Sequence, residues 1–239
     1  MSGWLELGHA DGRRVPAWHA PARQTGGRAT RGVVMLPEVY NVNPWVRSAA
    51  QRFAEAGAEV LVLDLYWRQG RDLHFSYDQP EAARGRGEVV QAREVAADVQ
   101  VAAAWLRETL GPQARIVTLG YCLGGQLAVL ARTAPGVDGA IGYYGVRLDE
   151  HLDTLAAGGP PALLHFGDDD PWVPADTVGR LQALAESPQA ALQVQVHPGA
   201  GHGFARQGHP PWHPEADARA HAATLAFLER LRCRPCAPD

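Results

Sequence analysis

The sequence lacks the features that mark several large classes of protein. No uncharged apolar stretch reaches the ~18 to 20 residues that a membrane-spanning helix needs, since the longest apolar runs have the length of a β-strand. The 22 basic residues, all of them arginine, do not outnumber the 26 aspartates and glutamates, so the formal net charge of -4 gives no basic footprint for nucleic acid. The first residues have neither the basic region nor the apolar run of a signal peptide. We therefore expect a cytoplasmic protein with no membrane or nucleic-acid partner.

Cysteine and serine are also scarce. Three cysteines among 239 residues are too few for a disulfide scaffold, so each one is expected to be a free thiol. Serine occurs at four positions, and none of them has glycines two residues before and two residues after it. The four are Ser2, Ser48, Ser76 and Ser187. The sequence therefore excludes a serine nucleophile in a Gly-x-Ser-x-Gly turn.

Strand-length apolar runs alternate with helical patterns along most of the chain. The runs are residues 33–36, 60–63, 116–119, 140–143, 162–166 and 192–196, and the helical patterns are 44–56, 88–110, 123–133, 175–186 and 215–231. The alternation predicts an α/β fold with a mainly parallel sheet and helices on both faces, because parallel strands need crossover connections. We expect a single domain over residues 1–239, with a frayed tail at 233–239.

Two segments fall outside that alternation. Residues 4–7 and 13–20 predict an antiparallel hairpin at the edge of the sheet, with its turn at Asp11-Gly12. Residues 66–87 are rich in arginine, glycine, aspartate and glutamine and have no clear period, so they predict a long loop. Because a loop of that length in a compact domain is often functional, we expect it to border the site.

Cys122 lies at the centre of a turn that is typical of a nucleophile. The apolar run 116–119 leads into Gly120-Tyr121-Cys122-Leu123-Gly124-Gly125, and a helical pattern follows at once. A nucleophile on a sharp strand-to-helix turn needs glycines two positions away on either side, and its side chain then stands above the sheet. The helix dipole favours a thiolate there, and the Leu123 N–H is placed to stabilise an oxyanion. The alternative is a small buried side chain in a glycine-rich turn.

An acid and a base follow Cys122 in the order of nucleophile, acid and histidine that this kind of fold requires. Asp168, Asp169 and Asp170 come directly after an apolar run, where a carboxylate can orient a histidine by accepting its Nδ1 proton. Spacing alone does not choose among the three, and the remaining aspartates would cap or solvate the turn. His202 lies in a glycine-flanked loop after the last predicted strand and is the candidate base, whereas His197 at the end of that strand is assigned a structural role.

Together these residues resemble the dienelactone hydrolase family, whose members are also called carboxymethylenebutenolidases. The specific features are the cysteine in the turn and a glutamate, Glu38, after the first core strand. The matching segments are residues 36–43, 64–69, 120–125, 143–146 and 201–206. The resemblance implies the α/β-hydrolase fold and a hydrolase that opens the lactone ring of dienelactone (4-carboxymethylenebut-2-en-4-olide) to maleylacetate through a thioester. Its partner would be a small, anionic ester or lactone.

The resemblance also implies a role for individual residues of the reacting centre. The catalytic triad would consist of Cys122, Asp170 and His202. Asp170 is chosen because, in the family, two residues separate the acid from a Val-Pro pair, and here that pair is Val173-Pro174. Glu38 would contact the resting thiol and help to ionise it when substrate binds. The backbone N–H groups of Val39 and Leu123 would form the oxyanion hole.

The substrate carboxylate would be bound by arginine. The resemblance assigns this role to Arg206, assisted by a second arginine from the 66–87 loop, for which Arg84 is preferred over Arg86. The residues themselves allow two interpretations. Arg206 would hold the Glu38 carboxylate until a substrate anion competes for the arginine. Alternatively, Glu38 would only pair with an arginine at the cleft edge. Four aromatic residues are candidate pocket walls, and Tyr144 among them is taken as substrate-binding. They are Trp45, Trp67, Trp172 and Tyr144.

Two alternatives to the dienelactone reaction remain. The first is a related enzyme that cleaves a different small ester or lactone, and the second is a non-catalytic binding module or thiol sensor in which Cys122 is oxidised. Cys233 and Cys236 have C-x-x-C spacing, but without a second such pair they predict an inert tail and no zinc site. The prolines between His209 and His213 exclude helical metal ligation. We expect no metal and no cofactor.

Overall fold

A computed structural model describes residues 1–9, 12, 14–23 and 29–231 of the chain. Within them, eight strands form one sheet in the order β1-β2-β4-β3-β5-β6-β7-β8. The strands are β1 (Gly3–Gly8), β2 (Arg14–Ala20), β3 (Arg31–Leu36), β4 (Glu59–Leu63), β5 (Arg115–Tyr121), β6 (Gly139–Tyr143), β7 (Ala162–Gly167) and β8 (Leu192–His197). The pairs from β4 to β8 are parallel, whereas β1 and β2 are antiparallel and lie at one edge. The predicted edge hairpin is confirmed, although Asp11 and Arg13 lie outside the described residues.

Seven α-helices accompany the sheet in the described part of the chain. They are α1 (Pro44–Glu55), α2 (Pro80–Gly87), α3 (Ala92–Leu110), α4 (Leu123–Leu130), α5 (Leu152–Ala156), α6 (Ala175–Ala185) and α7 (Pro214–Arg230). Short 3-10 turns cover Ala131–Thr133, Leu148–His151 and Pro188–Ala190. The side chain of Asn43 caps α1, because its Oδ1 accepts the Val46 N–H at 3.0 Å.

The helices pack on both faces of the sheet, which confirms the predicted α/β-hydrolase architecture. Alternate residues of β3 point to opposite faces, so Val33 and Met35 pack beneath α1 and α7 while Val34 and Leu36 pack beneath α3 and α4. The five central parallel strands are therefore buried almost throughout. Each fully buried large apolar side chain stabilises the fold by about 1.5–3 kcal/mol relative to an exposed one.

The prediction of an irregular loop over residues 66–87 is wrong at its C-terminal end, where Pro80–Gly87 form α2. Pro80 is in the first turn of this helix, a position that suits proline because the first turn has unpaired N–H groups. Only Ala83 and Gly87 are buried, four residues apart on one side of the helix. Since neither is a large apolar residue, the sequence has no helical period to detect.

Two other predictions differ from the structure or lie beyond it. Helix α3 begins at Ala92 instead of residue 88, because α2 ends at Gly87 and the Val90 N–H closes a turn onto the Gly87 carbonyl. The tail with Cys233 and Cys236 lies outside the described residues, so its fraying stays a prediction. In the described part of the chain, none of the helices is long and apolar enough to cross a membrane.

Candidate active site

The predicted site residues meet at the carboxyl ends of the parallel strands. Glu38 follows β3, Cys122 follows β5, Asp170 follows β7 and His202 follows β8. Because these strands are parallel neighbours, their carboxyl ends share one edge of the sheet. A cleft of about 490 Å³ opens there. It is lined by Val39, Tyr40, Arg84, Gly87, Glu88, Cys122, Leu123, Val146, Arg147, Pro171, Trp172, His202, Arg206 and Pro211.

Cys122 has a backbone conformation that the surrounding glycines make accessible. Its φ of 53° and ψ of -118° are strained for a residue with a side chain, as expected for a nucleophile on a sharp turn. A Cβ atom on Gly120 would lie 1.9 Å from the Gly124 carbonyl oxygen, and one on Gly124 would lie 2.0 Å from the Leu36 oxygen. Both glycines are therefore required by close backbone contacts, which confirms the reasoning from the sequence.

The backbone around Cys122 fixes the thiol at the start of a helix. The Cys122 N–H donates to the Tyr143 carbonyl at 3.0 Å, and its own carbonyl accepts from the Gln126 N–H at 3.1 Å. Helix α4 begins at the next residue, so its unpaired N–H groups and positive dipole end face Cys122. The thiol is half-buried and lines the cleft. This environment stabilises negative charge on the sulfur.

His202 lies between Asp170 and Cys122. Its Nδ1 is 2.9 Å from Asp170 Oδ2, and the second carboxylate oxygen of Asp170 accepts the Trp172 N–H at 2.8 Å. The Asp170 side chain is fully buried and that of His202 is 10% exposed. Burial lowers the pKa of His202, but the hydrogen bonds to Asp170 and Cys122 outweigh it and raise the pKa to about 10. The ring is therefore held by an acid on one side and lies beside the Cys122 thiol in the cleft on the other.

The structure separates Asp170 from the two aspartates before it. Asp168 and Asp169 are exposed, whereas Asp170 is buried. Asp168 accepts the Gly199 N–H at 2.6 Å, and the Asp169 N–H donates to the Ala200 carbonyl at 3.1 Å. These two bonds tie the loop after β7 to the loop that carries His202, which is the turn-capping role left open by the sequence.

Glu38 is held by Arg206 at the edge of the cleft. Arg206 Nε lies 2.9 Å and 3.0 Å from the two carboxylate oxygens, and the Tyr77 hydroxyl donates to one of them at 3.2 Å. Burial would lower the pKa of Arg206, but the Glu38 charge raises it, so the guanidinium stays charged. Glu38 is 2% exposed. The predicted contact between Glu38 and the resting thiol of Cys122 stays a prediction, because in this structure the carboxylate is bound to Arg206.

The two N–H groups predicted to form the oxyanion hole belong to residues that line the cleft beside Cys122. The Leu123 N–H lies in the first turn of α4, and the loop that carries Val39 is fixed by polar contacts. Tyr66 donates its hydroxyl to the Val39 carbonyl at 2.6 Å. The Asn41 side-chain amide donates to the Asp64 carboxylate at 2.6 Å, and its Oδ1 accepts the Leu65 N–H at 3.0 Å. These two bonds join the segments 36–43 and 64–69.

The structure distinguishes the arginines of the 66–87 segment. Arg84 lies on α2 and lines the cleft, with its guanidinium 5.8 Å from the centre of the Trp172 ring. Arg86 lines a different depression, where its carbonyl accepts from Gln69. The segment borders the site as predicted, and of its two candidate arginines it is Arg84 that faces the reacting groups.

Tyr144 does not occupy the place predicted for a substrate-binding residue. Its side chain is fully buried beneath the base, with ring centres 4.9 Å from His202 and 5.3 Å from Phe204. It has no exposed surface for direct contact with a substrate, and its ring packs against that of His202. Of the four aromatic candidates for pocket walls, Trp172 lines the cleft, whereas Trp45 borders a separate depression near α1 and α7.

The sequence did not single out two residues of this site. Tyr77 holds Glu38 but lies in a segment without periodicity, so nothing in the pattern marks it. Arg147 lines the cleft from the turn after β6, and only its position directly after the matching segment 143–146 could have drawn attention to it. Among the described residues, no three His, Cys, Asp or Glu side chains are grouped as a metal site requires. The absence of a metal and a cofactor stays a prediction.

The fold and the site define an α/β-hydrolase that cleaves carboxylic esters. The thiol, the acid and the base occur in the chain order that is typical of that fold. Each of them also follows a parallel strand, where the fold places its reacting groups. The chain belongs to the dienelactone hydrolase family, whose model matches residues 17–232. The resemblance predicted from the sequence is thereby confirmed.

Individual relatives agree with this assignment. A carboxymethylenebutenolidase from Pseudomonas sp. (strain P51) is 30% identical over 204 residues, which cover 84% of each chain. A protein from Bradyrhizobium sp. named a probable 2-oxo-3-(5-oxofuran-2-ylidene)propanoate lactonase is 28% identical over 241 residues, covering 96% of this chain and 94% of that one. A solved structure of a candidate dienelactone hydrolase from Klebsiella pneumoniae has a TM-score of 0.84 at 24% identity, covering 96% and 98%. At that identity the structural match supports the fold.

Proposed function

We propose that this protein opens the lactone ring of dienelactone to give maleylacetate, with Cys122 as the nucleophile. The observation that carries the proposal is the aligned set of Asp170, His202 and Cys122 in a cleft that also holds arginines. A carboxylate-bearing lactone suits such a cleft, because arginine binds carboxylates with two parallel hydrogen bonds. The relatives named carboxymethylenebutenolidase support the same substrate.

The first half of the reaction forms a thioester. The Cys122 thiolate attacks the lactone carbonyl, and the negative charge that develops on its oxygen is stabilised by the Val39 and Leu123 N–H groups. The ring C–O bond then breaks, and the ring oxygen leaves as an enolate. An enolate is a good leaving group, which suits a thiolate nucleophile. The enolate takes up the proton carried by His202 and becomes the ketone of the product, which leaves His202 neutral.

The second half releases the product by hydrolysis. His202 takes a proton from a water molecule, and the resulting hydroxide attacks the thioester carbonyl. The C–S bond breaks, the acid is released and the thiolate is regenerated. The sum of both halves is one lactone and one water consumed for each maleylacetate formed. Asp170 keeps the His202 ring oriented throughout by accepting its Nδ1 proton.

A related lactone is a second candidate substrate. The Bradyrhizobium relative matches nearly the whole chain, and its named substrate carries the same ylidene lactone ring with a longer 2-oxo acid arm. The reacting bond would be identical, and only the position of the carboxylate would differ. Measuring kcat/KM for both lactones with the purified protein distinguishes them, and we expect the higher value for dienelactone.

The proposed intermediate is tested by trapping it. A His202→Gln variant should slow deacylation, and mass spectrometry of the variant mixed with dienelactone should show the protein with one acyl group on Cys122. The wild-type protein should remove the ultraviolet absorbance of dienelactone. Turnover of a short aryl ester alone would keep the triad but reassign the substrate. If neither lactone nor the aryl ester is hydrolysed and the Cys122 thiol oxidises readily in peroxide, the thiol-sensor alternative would be favoured.

A further inference from the structure

The cleft concentrates positive charge on a protein that is negative overall. The formal net charge of the chain is -4, yet the charged side chains lining the cleft are three arginines and one glutamate, Glu88, besides the titratable His202 and Cys122. A cleft lined by one sign of charge attracts ligands of the opposite sign. The arginines are not equivalent, because their neighbours differ.

Arg206 is already neutralised by the protein. Its Nε is bonded to both oxygens of Glu38, and its side chain is only 12% exposed. Arg84 and Arg147 are exposed, and among the described residues neither forms an ion pair. We call these two residues the arginine rim. With Arg206 paired, the rim supplies the remaining positive charge of the cleft, as two arginines against the single carboxylate of Glu88.

Arg147 is held at the rim by an unusual backbone conformation. It follows β6 and has φ of 52° and ψ of 26°, the left-handed region that glycine and asparagine occupy most readily. A strained backbone persists where its surroundings impose it, and such positions cluster at functional sites. The turn directs a long cationic side chain into the cleft at a position where a smaller residue would fit the backbone better.

We infer that Arg147 is a specificity-determining residue, which together with Arg84 selects substrates whose carboxylate lies away from the reacting carbonyl. This inference rests on the proposed function, since it names a further contact for the same anionic lactone. The ligand class is a lactone or ester of a short diacid with one free carboxylate. Arg147 acts on binding of that carboxylate and makes no contact with the reacting bond.

The test compares two aryl esters that differ only in the distant carboxylate. The 4-nitrophenyl monoester of adipic acid has the same six-carbon diacid length as maleylacetate, and 4-nitrophenyl hexanoate is its neutral partner. We expect Arg147→Gln to lower the ratio of kcat/KM for the anionic over the neutral ester about tenfold, chiefly through KM, as for loss of one exposed charge-assisted hydrogen bond. Arg147→Lys should keep most of the ratio because it keeps the charge.

Arg86→Gln is the matched control, since it removes the same charge from the same region outside the cleft. Its ratio should equal that of the wild-type protein. An Arg147→Gln ratio within twofold of wild type, or a fall in kcat of both esters alike, would overturn the inference. Because aryl esters report the ratio without any lactone, failure of dienelactone turnover would reject the proposed substrate while leaving the role of Arg147 independently measured.

Discussion

The two sides of the cleft are built in opposite ways. The reacting side, from Cys122 to His202, is buried or half-buried and joined by backbone contacts so close that two glycines admit no side chain. The arginine rim is exposed and, among the described residues, held by no ion pair. The reacting side is therefore fixed before a ligand binds, whereas in our proposal the rim would gain its partner from the ligand. Chemistry and selectivity should respond differently to substitution.

The largest effect should come from the nucleophile. Cys122→Ala removes the atom that attacks the carbonyl, so kcat/KM should fall by at least ~10⁴-fold, as for removal of a nucleophile from a triad. Ester hydrolysis followed by absorbance measures the loss, and circular dichroism checks the fold. Activity within tenfold of wild type would show that the reacting side does not depend on this thiol.

Asp170→Asn should lower kcat/KM by roughly 10³-fold, because an amide no longer fixes the ring of His202 in the required tautomer. The substitution should also change how stability depends on pH. Asp170 helps to raise the pKa of His202 from 6.5 to about 10 in the folded protein, so its stabilisation is complete below pH 6.5 and is lost as the pH rises through about 10.

The pH effect is measured as the difference in Tm between wild-type protein and Asp170→Asn. This difference should be largest at and below pH 6.5 and should shrink steadily towards pH 10. Asp169→Asn is the matched control, because Asp169 is exposed and Asp170 is buried. A difference in Tm that stays constant from pH 6 to pH 10 would contradict the proposed electrostatic contact.

Gly124→Ala tests how tightly the turn is packed. The new Cβ would lie 2.0 Å from the Leu36 oxygen, so the backbone must shift and the free energy of unfolding should fall by about 3 kcal/mol. Gly179→Ala on α6 is the control, since its Cβ would meet nothing within 4 Å and should be neutral or slightly stabilising. Chemical denaturation compares the two variants, and equal stabilities would show that the turn has room to adapt.

The smallest effect should appear at the rim. Arg84→Gln should raise KM for an anionic lactone about tenfold with little change in kcat, because it removes a charged hydrogen-bond donor from the substrate carboxylate. Arg86→Gln should leave both constants unchanged, since its side chain lies in another depression. If Arg84→Gln lowers kcat as strongly as Asp170→Asn, the division between the two sides of the cleft does not hold.

The sequence predicts the reacting side well because strong local constraints are visible in it. Glycines around Cys122 mark a turn that cannot accept side chains, and the apolar runs mark parallel strands whose ends must meet. The residues of the selective side have weaker signals. Arg84 lies on a helix whose buried positions are alanine and glycine, so no apolar period reveals that helix. The position of Arg147 depends on a left-handed backbone conformation that the neighbouring sequence does not predict. Tyr144 is expected in the cleft as an aromatic wall, yet its ring is buried and packs against His202, because a buried aromatic and one that lines a pocket look alike in the sequence.

The pairing of Glu38 with Arg206 has a consequence for how an anion enters the cleft. The free protein already carries its own carboxylate on Arg206, tethered at a high effective concentration. A ligand that takes this arginine must displace an internal competitor, so binding becomes an exchange of one ion pair for another. A small carboxylate in solution is at a disadvantage in that exchange, because Glu38 is already held beside Arg206. An acid that is also anchored elsewhere in the cleft would gain more from binding, so we expect the ion pair to disfavour simple organic acids that lack a second contact.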